Sequence, residues 1–471
     1  MHRRAFAPAV ALALVACASD ASTDAAPTPA PAPPIPEAPC VEAVPAAGFT
    51  EVPGNGGTLA PSRLFWILQP ADACASKKPL FVVFNGGPGY PTTLGLALRG
   101  IGKDVLDDSG RLVPNPASFT ALGSVLFVDS RDAGFSYSVP AGRESVCGHP
   151  SERDDAEDHL HVLLDVLRRV PALARTRVVL VGESYGGARA QAMLDMVFDP
   201  ASVEAEGRAL AGPLRDHLAT SFGDRDPGAL RVAARFGQQV LVQPLVAGAV
   251  QADQSKPLAE RDPEIGPALA DPDRDHYQLD ERKGYTEARD ASGLAALSDL
   301  ANLTRIFGVD PRAIPELVPA GRARARRPDT ATDHAPGLAK VEAALAAALG
   351  ALRTGDRYYD VVPCPSALDW HQGLGTGDAF TRNLARGRVF ITNARKDGVI
   401  YSPFVPHALA QGTTVTFGAG GGGARPQTFD VALGEAGTRT VRFPTYDRAG
   451  HAVAERMGRE LRDDVAAWLA P

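Results

Sequence analysis

The apolar run Val178-Val179-Leu180-Val181 passes without a break into Gly182-Glu183-Ser184-Tyr185-Gly186, and a helical pattern follows over Gly187–Phe198. A strand apolar at every position must have both faces covered, since a face left to water would carry alternating polar residues. A helix that starts so soon after the strand requires a tight turn. Glycines two places either side of the serine let neighbouring backbones approach there without Cβ clashes. The predicted result is a serine hydroxyl held above a buried sheet, with a helix N-terminus beneath it to favour negative charge. Ser184 is the candidate nucleophile.

The rest of the chain repeats this alternation. Strands are expected at Arg63–Leu68, Leu80–Phe84, Ser124–Asp129, Arg177–Val181, Val240–Val246, Arg388–Thr392, Thr413–Phe417 and Thr438–Phe443. Helices are expected at Thr92–Val105, Arg153–Arg169, Gly187–Phe198, Gly337–Leu352 and Ala452–Leu469. The pattern predicts an α/β fold with a mostly parallel central sheet and helices on both faces. With 471 residues, 45% of them hydrophobic, the chain is long enough to bury such a core. Residues 251–360, rich in Asp, Pro, Arg and Ala, break the rhythm and read as a cap inserted into a core of 46–250 and 361–471. The glycine-rich run 418–423 reads as a surface turn, because no Lys-Ser/Thr and helix follow it.

The N-terminus indicates export. His2, Arg3 and Arg4 precede a short apolar stretch, Ala5 to Ala16, that is too short to span a membrane. It ends Leu14-Val15-Ala16-Cys17, which resembles the bacterial lipobox, so residues 1–17 are expected to be a lipoprotein signal with Cys17 acylated. Residues 18–45 are a Pro/Ala-rich linker. Cys40, Cys74, Cys147 and Cys364 remain, and four cysteines in an exported protein suggest two disulfides. Three connectivities are open to them, and Cys40–Cys74 with Cys147–Cys364 is the one put forward. No metal-ligand spacing occurs. The net charge of −7 argues against a nucleic-acid partner, and Arg322, Arg324, Arg326 and Arg327 read as a solvated loop.

Several motifs resemble the serine carboxypeptidase family of the α/β-hydrolase superfamily. Gly182-Glu183-Ser184-Tyr185-Gly186-Gly187 is similar to that family's nucleophile elbow. Asn85-Gly86-Gly87-Pro88-Gly89, Asn115-Pro116-Ala117-Ser118-Phe119 and Gly134-Phe135-Ser136-Tyr137-Ser138 match its further segments in order. The resemblance implies an α/β-hydrolase fold with the cap between nucleophile and acid, and the order Ser, acid, His. His451 in Ala449-Gly450-His451 is then the base. Asp397, after strand Arg388–Thr392, is the acid; it reads equally as a turn residue, and Asp430 is its nearest competitor. The backbone amides of Gly87 and Tyr185 would form the oxyanion hole. Asn85, Gly86 and Glu183 would bind the substrate's terminal carboxylate, with Glu183 donating when protonated. Peptide hydrolysis should therefore be faster at roughly pH 4–6 than at about pH 8.

The chain departs from the family pattern where a second Glu is expected, near Arg99-Gly100. Arg99 reads either as a partner for the substrate carboxylate or as an exposed helix residue. Val83-Phe84 stands where a Trp is expected, Ser130-Arg131 where Gln-Pro is expected, and no proline follows His451. The reading reached is a serine carboxypeptidase with a peptide substrate and no cofactor, exported and lipid-anchored in a bacterial cell envelope. An esterase, acyltransferase or other peptidase on the same scaffold is the first alternative. A non-catalytic lipid-anchored binding protein is the second. Oligomeric state is left open.

Overall fold

The computed structural model describes residues 39–55, 59–139, 150–224, 227, 229–246, 248–263, 265–271, 292–293, 295–297, 299–314, 317, 378–418 and 427–470. Cys17, Cys147, Cys364, most of the expected cap and the helix expected over Gly337–Leu352 lie outside them.

An eleven-stranded sheet organises these residues. Its strands are β1 (Ala46–Val52), β2 (Ser62–Gln69), β3 (Leu80–Phe84), β4 (Ser124–Val128), β5 (Val178–Glu183), β6 (Gln238–Val242), β7 (Arg388–Ile391), β8 (Val415–Phe417), β9 (Thr428–Ala432) and β10 (Thr438–Arg442), with Tyr137–Ser138 paired to β2. Their spatial order is β1-β2-β4-β3-β5-β6-β7-β10-β9-β8. The strands from β4 to β10 in that order pair in parallel; β1 and β2 at one edge, and β9 and β8 at the other, are antiparallel. The exchanged places of β3 and β4 and the long parallel centre are those of the α/β-hydrolase fold.

The central strands are covered on both faces. Along β3, Leu80, Val82 and Phe84 enter one core with α1 (Glu152–Arg169) and α2 (Gly186–Phe198). Phe81 and Val83 enter the other, with Leu94, Leu96 and Leu98 of the Thr93–Gly100 helix and with Leu461 and Val465 of the last helix. This two-residue alternation explains why the strands read as unbroken apolar runs. α1 starts on a reciprocal cap: Ser151 Oγ accepts from Asp154 N, and Asp154 Oδ2 accepts from Ser151 N at 3.0 Å. α3 (Asp378–Arg386) packs beside α2.

Several boundaries differ from the sequence expectations. The helix expected over Thr92–Val105 ends at Gly100, and Asp104–Leu106 is instead a strand paired with Leu112–Pro114. Asn115 Nδ2 donates to the carbonyls of Gly100 and Gly102 at 2.9 and 2.8 Å, which removes the acceptors a further turn would use. The one helix expected over Ala452–Leu469 is two, Val453–Arg456 and α4 (Gly458–Leu469). Met457, at φ −130° and ψ 40°, breaks it, and Gly458 then packs against the Ala117 methyl. The strand expected to reach Val246 stops at Val242, where Gln243 turns out of the sheet at φ 46°.

Cys40 and Cys74 form a disulfide with Cα atoms 4.9 Å apart. Beside it, Ser76 Oγ accepts from Val41 N at 2.9 Å and donates to Pro39 O at 3.0 Å. The stretch expected to be linker up to residue 45 is thus bound to the body from Pro39 onward. From the expected cap, the helix Leu300–Phe307 packs on β2 through Phe307, whose ring lies 5.0 Å from that of Phe65. Among the described residues no helix is long and apolar enough to cross a membrane.

Candidate active site

Loops at the carboxyl ends of β3, β5, β6 and β7, with the segment after β10, meet on one side of the sheet. Ser184 directly follows β5 with φ 59°, a conformation that residues with a side chain rarely adopt. The turn is held by Ser184 N donating to Val242 O at 3.0 Å, and by Gly187 N and Leu245 N donating to Ser184 O at 2.9 Å each. Gly182 is required sterically: a Cβ there would lie 2.3 Å from Gly186 O. Strain at a nucleophile, fixed by three backbone hydrogen bonds, is how such a turn presents a hydroxyl.

Asp397 is fully buried in the loop after β7. Its Oδ2 accepts from His451 Nδ1 at 2.9 Å and from Gln243 Nε2 at 2.8 Å. Its Oδ1 accepts from Val399 N at 2.8 Å and Ile400 N at 3.1 Å. Four donors on two oxygens offset the loss of water around a buried carboxylate. Asp430 lies instead on β9, one strand in from the sheet edge, where it accepts from Thr440 Oγ1 at 2.6 Å.

Gln243 has no counterpart in the sequence reading. It is fully buried, and its Nε2 also donates to Ser402 Oγ at 2.6 Å. Its Oε1 accepts from Thr392 Oγ1 at 2.8 Å and Ala394 N at 3.1 Å. One amide thereby ties β6 to the β7 loop and aims Asp397. A polar residue ending an apolar strand run was the only signal of it.

The loop after β3 closes over the elbow. A Cβ on Gly86 would lie 2.6 Å from Tyr185 N and 2.7 Å from Ser184 Cβ, so only glycine brings this backbone so close. Gly87 follows at φ 104°. Asn85 Oδ1 accepts from Leu96 N at 2.9 Å, and its Nδ2 donates to Glu183 Oε1 at 2.6 Å. Asn85 and Glu183 are therefore joined. The helix Thr93–Gly100 is wound here with Ala97 N to Thr92 O and Ile101 N to Leu96 O bonds, five residues apart. Gly95 gives way for the Asn85 side chain.

Arg99 is not the exposed helix residue that was one of its two readings. Its side chain is 7% exposed, and its Nη1 lies 3.6 Å from Glu455 Oε1. With Asn85 and Glu183, both line an open cleft. Glu455, four residues beyond His451, also escaped the sequence reading.

Behind the elbow lies a second unforeseen group. Arg189 is fully buried; its Nε donates to Asp155 Oδ2 at 2.7 Å, its Nη1 to Asn85 O at 2.7 Å and its Nη2 to Ser130 Oγ at 2.9 Å. It also stacks on Tyr185 at 5.2 Å. One guanidinium thus braces both the Asn85 loop and the elbow. Burial acts to raise the Asp155 pKa, but Arg189 and His159 prevail and hold it below the usual range. Burial, then Asp155 and Asp195, push Glu152 up to about 8. Asp129, also buried, is pushed up to about 6 and accepts from Thr93 N at 2.9 Å and Phe135 N at 3.1 Å, anchoring the segment around Ser136.

Residues 44–205 match the family model described as serine carboxypeptidase. Serine carboxypeptidase-like 25 of Arabidopsis thaliana is 29% identical over 155 residues, covering 32% of this chain and 31% of that protein. Carboxypeptidase Y homolog A of Arthroderma otae is 32% identical over 110 residues, covering 23% of this chain and 19% of its own. The chain spans about a third or less of the length of the curated relatives it matches. Among solved structures, a prohormone-processing carboxypeptidase from Saccharomyces cerevisiae aligns over 90% of both chains, at TM-score 0.49 and 14% identity.

Proposed function

We propose, because residues 44–205 match the serine carboxypeptidase family model, that the chain removes C-terminal residues from peptides through an acyl-enzyme on Ser184. The observations that carry this reading are the strained Ser184 turn, the buried Asp397 accepting from His451 Nδ1 at 2.9 Å, and the joined Asn85 and Glu183 that follow β3 and close β5.

The chemistry follows from the geometry. Asp397 holds His451 by Nδ1, and Nε2 of the same ring takes the Ser184 proton as Oγ attacks the carbonyl carbon. The amides of Gly87 and Tyr185 receive the oxyanion, each contributing about 3 kcal/mol. His451 then returns the proton to the departing amino group. A water, activated the same way, releases the acyl chain and restores Ser184. Asn85, Gly86, Glu183 and Arg99 form the receptor for the terminal carboxylate. Glu183 donates to it only when protonated, which supports faster hydrolysis at roughly pH 4–6 than at about pH 8.

Labelling by a fluorophosphonate, abolished in Ser184→Ala, tests the nucleophile; labelling that persists removes it. A blocked dipeptide with a free C-terminus is expected to be cleaved well and its amide poorly. Equal cleavage would reduce the protein to an esterase or endopeptidase on this scaffold. Export to a bacterial envelope with a lipid on Cys17 belongs to the same reading. The signal-like residues 1–17 and the Cys40–Cys74 disulfide, a bond of oxidising compartments, support it. Metabolic labelling with palmitate should mark the wild type and miss Cys17→Ser.

A further inference from the structure

Among the described residues, the cleft beside Asn85 and Glu183 is lined by a cation, Arg99, and a second acid, Glu455. Arg99 comes from the end of the helix Thr93–Gly100, and Glu455 from the short helix Val453–Arg456 just after His451. Their side chains are 7% and 15% exposed, so the pair interacts where water screens little. The Nη1–Oε1 distance of 3.6 Å makes this a contact of charges and too long for a hydrogen bond. Arg99 Nη2 is steadied by Ser292 Oγ at 3.2 Å.

A guanidinium in such a place prefers a carboxylate at hydrogen-bond distance, in a two-pronged arrangement. Glu455 neutralises Arg99 without providing that geometry. A second acid at position 99 would receive a substrate carboxylate only with a proton between them; a guanidinium needs none. We propose that Arg99 is the fixed positive charge that receives the substrate's terminal carboxylate, and that Glu455 is its built-in competitor. This deepens the peptidase reading and rests on it for the identity of the ligand. Two opposed consequences follow. Removing Arg99 weakens the preference for a free carboxylate. Removing the charge of Glu455 strengthens it, because an incoming carboxylate no longer shares the cation. A pair serving stability alone would show the same sign for both.

The test measures inhibition of Ser184-dependent hydrolysis of a p-nitrophenyl ester by N-blocked amino acids and by their amides. The readout is the ratio of inhibition constants, amide over acid. Arg99→Met should lower this ratio by about tenfold or more, the loss of one charge-assisted pair. Glu455→Gln should raise it about threefold, consistent with removal of one competing charge. Should Arg99→Met fail to fold, Arg99→Lys, which keeps the charge and loses the fork, should lower the ratio by a smaller factor. An unchanged ratio in the Arg99 variant, or a fall in both variants, overturns the inference. A wild type that hydrolyses the ester and prefers acids in this way, yet cleaves no peptide, sinks the peptidase reading and leaves Arg99 and Glu455 in their roles.

Discussion

The loops carrying Asp397 and His451 and the cleft wall carrying Arg99 and Glu455 manage buried charge in different ways. Asp397 is met by four donors, two of them backbone amides, at 2.8–3.1 Å. Nothing in that set needs to move for His451 to work. In the wall, two opposite charges stand 3.6 Å apart with a looser fit. Catalysis rewards the first arrangement, because a base must be held in one orientation through every step. Recognition rewards the second, because a receptor must give up its internal partner when the ligand arrives.

The largest effect that tests this contrast is at the nucleophile. Ser184→Ala should lower kcat by about 10⁶ with the fold intact, read by ester hydrolysis and circular dichroism. Asp397→Asn keeps the shape but favours the wrong proton arrangement on His451, and a loss of about 10⁴ in kcat is expected. A far smaller loss would mean that the rigid side of the comparison is not catalytic. Gln243→Leu removes one donor to Asp397 while leaving His451 and both backbone amides. A loss of about 10- to 100-fold in kcat is expected, corresponding to roughly 1.5–3 kcal/mol for a hydrogen bond to a charged group. The KM should stay near the wild-type value, since Gln243 is absent from the cleft; a KM change with kcat intact would contradict its positioning role.

The smallest effect concerns stability. Glu152 titrates at about 8 in the folded protein, above its ordinary value near 4.5. Between those values the native state holds more proton than the unfolded chain, so the stability this group lends is full below about 4.5 and is lost as pH rises through 8. Glu152→Gln mimics the protonated acid. Its thermal stability should match the wild type at acid pH and exceed it by on the order of 1–3 kcal/mol near pH 9. Parallel curves would show that Glu152 is ionised in the fold. That would place a further buried carboxylate beside Asp155, behind the elbow that Arg189 braces.

Much of the scaffold was legible because it depends on local rules. An unbroken apolar run bounded by turn residues marks a strand covered on both faces, and Leu80–Phe84 was read to the residue. Elements stabilised by partners were not legible. β1 and β9 lie at or near antiparallel edges and carry weaker patterns, and the helix over Ala452–Leu469 breaks because Met457 leaves helical geometry where Gly458 meets Ala117.

The site divides along the same line. The sequence alone determined the turn at Ser184, because glycines at 182 and 186 act within five residues of chain. It also nominated Asp397 and His451, by their places after expected strands. Which acid meets His451, that Gln243 aims it, that Arg189 ties Asp155 to the Asn85 loop and that Glu455 faces Arg99 were decided only by tertiary structure. Each joins residues between 34 and 356 positions apart (Asp155 with Arg189, Arg99 with Glu455), contacts that no local pattern encodes. The reason is physical: backbone conformation is set by nearest neighbours, whereas a buried charge is set by whichever partner the fold brings to it.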